Sequence, residues 1–249
     1  MKGRAAIFLA LLAGAARGEE GGVQSTVEFL SSLGSRVSGY PGAEEAASFV
    51  EQQLRRAGVQ EVKREEFSLA VPVDHGGQLR VEDSGEVFPV HGLWPNQVAP
   101  STLPPGGLSL DLTWGGFGEW EELEGKELTG RAVLMEFNSW NHWLRAASLG
   151  ARIIVFVEPE QTTRVQAASK VGWVPLEVPR FWIGWQAGQI LKGRLAQGEV
   201  QVHLEARTSW EQRPAWNIWG IAPGQDLDPP DSACRPVGPK AHMARLSFL

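Results

Sequence analysis

RAVLMEFNSWNHWLRAASLGARIIVFV, residues 131–157, is the stretch that decides the fold class of this chain. It contains two short, nearly all-apolar runs, 131–137 and 152–157, rich in β-branched side chains, and runs of that length and composition mark strands buried on both faces. Between them Trp140, Trp143, Leu144 and Ala147 share one helical face, Asn138 or Ser139 stands where a helix N-cap belongs, and Gly150 stands where a helix stops. Two such strands joined by a short helix predict a parallel pair, and the chain is read as α/β.

On the C-terminal side, 180–183 reads as a short strand after Pro175 and Pro179. A helix over 186–196 buries Ile190, Leu191 and Leu195, with Gly198 as its cap. In 200–207, Val200, Val202, Leu204 and Ala206 alternate with Gln201, His203, Glu205 and Arg207, the period of a half-exposed strand. A further strand over 216–221 is turned by Pro223 and Gly224.

On the N-terminal side, a helix starting near Ser25 turns Val27, Phe29, Leu30 and Leu33 inward and stops at Gly34. A second, over 43–57, carries Ala46, Ala47, Val50, Leu54 and Ala57 at three- and four-residue steps, and Gly58 follows as a left-handed cap. Extended chain is expected over 59–69, and two more strands, 78–81 and 86–90, flank the turn residues Asp83, Ser84 and Gly85. Pro95, Pro100, Pro104, Pro105 and the Gly106-Gly107 pair place a domain boundary between 94 and 107. The domains are therefore drawn at 19–106, 107–209 and 210–249. The last ends in a disordered tail, because Asp226, Asp228, Pro229, Pro230, Asp231, Pro236 and Pro239 crowd a segment without an apolar run.

Residues 1–18 read as a secretory signal peptide: Lys2 and Arg4 precede an apolar run over 5–16, and small residues at Ala16 and Gly18 precede Glu19. The mature chain is expected to be secreted or periplasmic and free of the membrane. Removing residues 1–18 leaves 20 basic against 29 acidic residues, net −9. The Arg55-Arg56 and Lys63-Arg64 pairs lie among glutamates, so no basic stripe offers itself to nucleic acid. The single Cys234 rules out an intrachain disulfide, and stability must come from the core. Eleven Trp stand beside one Tyr, and are expected mostly as core or groove-lining anchors.

No His-Glu-x-x-His, Gly-x-Ser-x-Gly, Walker or Gly-x-Gly-x-x-Gly pattern occurs. The five histidines are His75, His91, His142, His203 and His242, and their spacing brings no two into reach of a shared metal. His203 and Glu205 share a strand face and form the one possible ligand pair, though solvent contacts are the ordinary role of such residues. His142, in an Asn- and Trp-rich turn, could meet a ligand but reads first as part of a capping cluster. Asp74, His75 and His91 fall in or beside loops with no partner in view. Nothing places a Ser on a strained elbow, so no Ser/His/Asp triad is drawn. No catalytic, cofactor-binding or metal residue is assigned.

Two regions carry a family resemblance. Leu33-Gly-Ser-Arg-Val-Ser-Gly-Tyr-Pro-Gly42, the following helix and 62–67 resemble the opening of the secreted di-zinc aminopeptidases of the plasma glutamate carboxypeptidase-like group. Asn217-Ile-Trp-Gly-Ile-Ala-Pro-Gly224 resembles the strand and turn that precede their metal site. Between them, 128–135, 152–157 and 183–191 follow the order of a protease-associated (PA) insert, so the likeness spans 25–224. The resemblance implies a partial zinc-peptidase α/β domain interrupted by a mixed α/β PA insert, zinc in the full-length family and a peptide or protein substrate. The family's first ligands form a His-x-Asp pair. Here His242 stands eighteen residues after Gly224 with Ala244 where the Asp belongs, so a truncated or frame-shifted N-terminal fragment, inactive alone, is the expectation. The alternatives are a secreted Trp-rich PA-type module for peptide or glycan, and a non-functional product that folds only in its insert.

Overall fold

The computed structural model describes residues 22–95, 99–171 and 176–223, and the backbone of 241–247. The expected signal peptide and the segment 224–240, with Cys234, lie outside the described residues. In chain order the elements are α1 (Gly22–Ser32), α2 (Pro41–Arg56), β1 (Gln60–Val81), β2 (Val87–Gly92), β3 (Leu108–Trp114), α3 (Trp120–Leu123), β4 (Ala132–Glu136), α4 (Trp143–Ser148), β5 (Ile153–Val157), α5 (Arg164–Val171), β6 (Arg180–Ile183), α6 (Trp185–Leu195), β7 (Val200–Pro223) and β8 (Ala241–Ser247). They group into a central unit, Pro72–Glu211, and a flanking unit built from Met1–Val71 and Gln212–Leu249.

The central unit holds a mixed sheet in the order β1-β2-β6-β5-β4-β3-β7. Its four middle strands, β6, β5, β4 and β3, are parallel, and β2 and β7 join them antiparallel. The expected parallel pair is β4 and β5, in register from Ala132 opposite Ile153 to Glu136 opposite Val157. Because side chains alternate across a strand, each of these strands feeds two cores. Leu134, Val155 and Val157 pack with Leu191 of α6 and Val202 and Leu204 of β7 on one face. Val133, Met135, Ile154 and Phe156 pack with Trp143 and Ala146 of α4 on the other. Two covered faces explain why these segments carry so few polar residues.

Several expectations are corrected in this unit. Helix α4 begins at Trp143, because the Asn138 amide donates to the Gln161 carbonyl and accepts from Thr162 Oγ1, and so caps nothing. Trp140 takes φ +48 and leaves its indole exposed. Ile190 is exposed as well: α6 turns Gly188 to the sheet so closely that a Cβ there would lie 2.3 Å from Val157 Cγ1, which rotates Ile190 outward. The two compact units divide at 71/72 and 211/212, and β2 pairs on one side with 77–80 and on the other with β6. Strand β3 and helices α3 and α5 are additional elements. Of the ten described Trp, only Trp143 is fully buried and five are exposed.

In the flanking unit α2 lies close to its expected span and buries Ala46 and Ala47. Ala47 packs with Val62 and Ile218, and Val50, Leu54, Val59 and Trp216 close around them. Helix α1 buries no residue: Val27 and Phe29 are exposed, Phe29 stacks on Phe49 at 4.6 Å, and only Leu33 beyond its end is buried. The tail expected to be disordered contains β8, antiparallel to β7 from Asn217 opposite Ser247 to Pro223 opposite Ala241. Residues 241–247 contain neither Pro nor Gly, so every ladder donor is available there, unlike in 224–240. Gly58 ends α2 at φ +76 with open space around its Cβ position. Gly58→Ala is expected to cost about 1 kcal/mol, the left-handed backbone penalty alone, read as a lower urea midpoint at unchanged slope.

Candidate functional site

His203 and Glu205, the possible ligand pair, hydrogen-bond to each other, Nε2 to Oε1 at 3.3 Å. His203 Nδ1 lies 3.0 Å from Oγ of Ser109, directly across on β3. Ser109 Oγ also meets Glu82 Oε1 at 2.9 Å, and Gln78 donates to Glu205 Oε2 at 3.0 Å. The hydrogen bond from His203, then that from Gln78, holds the Glu205 carboxyl below the usual carboxylate range. With both imidazole nitrogens engaged, no lone pair remains for a metal. Nor is Ser109 a nucleophile of the acyl-transfer kind, since the Glu82 carboxylate beside it repels the oxyanion such a step builds. The pair belongs to a cross-strand polar ladder.

The residues without a foreseeable partner acquire one. His91 Nδ1 lies 3.4 Å from Asp74 Oδ2 while its ring stacks on Trp182 at 4.6 Å. His75 Nε2 meets Ser209 Oγ at 2.8 Å and Glu211 Oε1 at 3.2 Å. Serine and carboxylate share one ring nitrogen, so no relay through the imidazole exists. His142 Nδ1 sits 3.3 Å from both the Phe117 carbonyl and Glu119 Oε1. Arg145, whose guanidinium lies 5.3 Å from the Trp120 ring centre, donates to Glu119 Oε2 at 2.6 Å and, more than His142, pulls the Glu119 carboxyl down.

Among the described residues no group of three or more His, Cys, Asp and Glu side chains is placed to hold a metal ion. A catalytic zinc takes three protein ligands and an open position. The described residues do not fit one, and no step is derived through it. The backbone of His242 lies in β8 opposite Ala222; its side chain is outside the described residues.

Reading the sequence misses a buried polar centre between α4, α5 and β6. Lys170 is 0% exposed and Arg180 2%, and neither has a carboxylate partner among the described residues. Lys170 Nζ donates to the Trp140 carbonyl and, at 3.3 Å, to Ser169 Oγ. Arg180 donates to the carbonyls of Lys170 and, at 3.4 Å, Trp94. Aromatic faces complete the shell: Phe137 and Phe156 lie 5.4 Å from Nζ, and Trp143 lies 4.6 Å from the guanidinium. Burial pushes the Lys170 ammonium down to about 8 and the Arg180 guanidinium down to about 10. Gln166, one helical turn before Lys170 and also buried, accepts the Trp140 N–H at 2.8 Å. Both backbone groups of the left-handed Trp140 are thus held by buried side chains, and the adjacent Ser139 Oγ is buried without a partner among the described residues. The helical spacing of 166 and 170 is the one signal for this centre in the sequence.

Among the described residues each unit contains an open cavity. That of the central unit, about 420 Å³, is lined by Pro100, Thr102, Leu103, Pro104, Arg152 and Glu177 among others. That of the flanking unit, about 360 Å³, is lined by Ser35, Tyr40, Pro41, Gly42 and Glu45 and lies on the 33–42 segment. Gly39 shapes this segment: its φ is +86, and a Cβ on it would meet Val71 Cγ1 at 2.7 Å.

No family model matches the chain, and no curated protein matches it. Solved structures do. An aminopeptidase from Aneurinibacillus sp. strain AM-1 matches at TM-score 0.52 and 18% identity, over 86% of this chain and 50% of its own. BSAP, a zinc aminopeptidase from Bacillus subtilis, matches at 0.55 and 14%, over 82% and 47%. A peptidase M28 precursor from Shewanella amazonensis SB2B matches at 0.53 and 15%, over 88% and 54%. The fold is peptidase-like. At these identities the likeness is one of fold, and the chain spans about half the length of the structures it matches. Among the described residues no helix is long and apolar enough to cross a membrane.

Proposed function

We propose that the chain is the N-terminal part of a secreted zinc-dependent aminopeptidase, inactive alone. In this reading the flanking unit is the opening of the catalytic α/β domain and the central unit is a PA insert that borders the path of a peptide substrate. One observation carries the proposal: residues before 72 and after 211 group together, while 72–211 form a separate unit with its own sheet and two-sided core. That grouping supports the reading of an insert within a host domain, and the fold likeness to aminopeptidases over more than four fifths of the chain supports the identity of the host.

The purified chain is expected to hold no stoichiometric zinc by mass spectrometry and to leave aminoacyl anilides intact. The parent DNA beyond the last codon is expected to encode a His-x-Asp strand and further ligands. A downstream sequence lacking them in every frame overturns the host assignment, and zinc-dependent hydrolysis by the chain itself overturns the claim of inactivity. The exposure of five of the ten described Trp favours a second reading, a secreted PA-type binding module, which needs no missing half.

A further inference from the structure

We propose that the surface carrying Phe117, Trp120 and Trp140 on the central unit is a docking site for a cationic peptide segment. The three side chains are 49%, 54% and 50% exposed, the conformation that burial of apolar area disfavours most for rings of this size. They belong to one neighbourhood. His142, two residues beyond Trp140, meets the Phe117 carbonyl, a Cβ on Gly118 would lie 3.0 Å from His142 Cβ, and Arg145 spans from the Gly118 carbonyl to the Trp120 ring.

The backbone of Trp140 supplies an independent observation. A bulky residue at φ +48 is strained, and strain persists only where the surroundings over-determine it. Here buried Gln166 accepts the Trp140 N–H and buried Lys170 donates to its carbonyl, so two polar groups committed to the interior hold the backbone that carries one exposed indole. A held backbone presents the ring outward, and an aromatic side chain with two torsions loses little rotamer entropy when a ligand arrives.

Charge selects the occupant. The segments that frame the three rings, 117–124, 138–145 and 158–164, contain six glutamates against Arg145 and Arg164. Arg145 is already matched by Glu119. Glu121 and Glu160 are exposed and have no ion-pair partner among the described residues, and the loop that bears Glu160 is tied beside Trp140 by the two Asn138 hydrogen bonds. Exposed aromatic faces in segments that carry unmatched carboxylates attract ammonium and guanidinium groups through the ring quadrupole and the net negative field. A neutral glycan gains only from the rings, and an acidic partner is repelled.

The proposal does not depend on the peptidase reading, since its readout is binding and not hydrolysis. Fluorescence anisotropy on the full chain would use an N-acetylated, dye-labelled decapeptide alternating lysine and leucine, with a glutamate-for-lysine version as control. The lysine peptide is expected to bind in the micromolar range at 50 mM salt, to weaken at 500 mM salt, and to lose at least tenfold in affinity in Trp120→Ala and in Trp140→Ala. Trp210→Ala, an exposed indole of the same unit outside this surface, is expected to leave affinity unchanged. Trp120 lies on exposed α3 and not in the strained turn, so its variant keeps the test valid if Trp140→Ala fails to fold. Absence of lysine-peptide binding at 50 mM salt, equal binding of the glutamate peptide, or full affinity in Trp120→Ala would each overturn the proposal, as would tighter binding of an uncharged oligosaccharide.

Discussion

Truncating Phe156 to alanine is expected to lower the stability of the central unit by about 3–5 kcal/mol, the usual cost of deleting a buried aromatic side chain from a packed core. Phe156 is 0% exposed in β5, between Met135 of β4 and Trp182 of β6, and its ring meets Phe137 edge-on at 5.9 Å. Its face is also one wall of the shell around Lys170. The truncation therefore opens a cavity next to a buried ammonium, and water entering there cannot restore the aromatic contacts. Urea unfolding followed by near-ultraviolet circular dichroism would report it as loss of the central unit's transition. The change is confined to one unit, so a second transition, if resolved, should stay in place. A loss below 1 kcal/mol would mean that β5 is not the packed centre of the sheet.

The second large effect is one of pH. Lys170 has its proton affinity pushed from the ordinary 10.5 down to about 8 by burial, with no carboxylate among the described residues to oppose the shift. Between about pH 8 and 10.5 the unfolded chain binds a proton on this side chain that the folded chain has released, so raising pH favours folding across that window. The span corresponds to about 3 kcal/mol gained from pH 7.5 to 10.5. Lys170→Met removes the titrating group while keeping an unbranched apolar stem. Wild type is thus expected to gain about 3 kcal/mol relative to Lys170→Met over that range, measured as the difference of two urea titrations. Other lysines and the exposed ion pairs titrate in both proteins and cancel. Parallel stability profiles would mean that Lys170 keeps its proton in the folded state.

Much of the secondary structure was legible because its causes are local. Alternating or continuous apolar runs gave β4, β5, β6 and the first part of β7; a helical stripe ended by Gly58 gave α2; and the Asp83-Ser84-Gly85 turn gave the β1–β2 hairpin. Local reasoning erred where a neighbour in space overruled it. Asn138 looked like a cap until Gln161 and Thr162 claimed its amide. Lys63 and Arg64 read only as charges among glutamates, yet they also lie over the rings of Trp219 and Trp216 at 4.9 and 4.3 Å, which covers part of two indoles. The polar stretches of β1 and β7 read as interruptions, yet both strands run unbroken.

The amino-acid order alone determined that this is an α/β chain with a buried parallel pair, because a strand covered on both faces must be apolar at every position, and that requirement is written residue by residue. Which distant segments meet was decided only in three dimensions. The division at 71/72 and 211/212, the pairing of His91 with Asp74 and of His75 with Glu211, and the burial of Lys170 and Arg180 each join residues whose partners lie from 10 to 136 positions away. Periodicity carries no information over such separations, since the free energy that selects one contact among many arises from the packing of the whole.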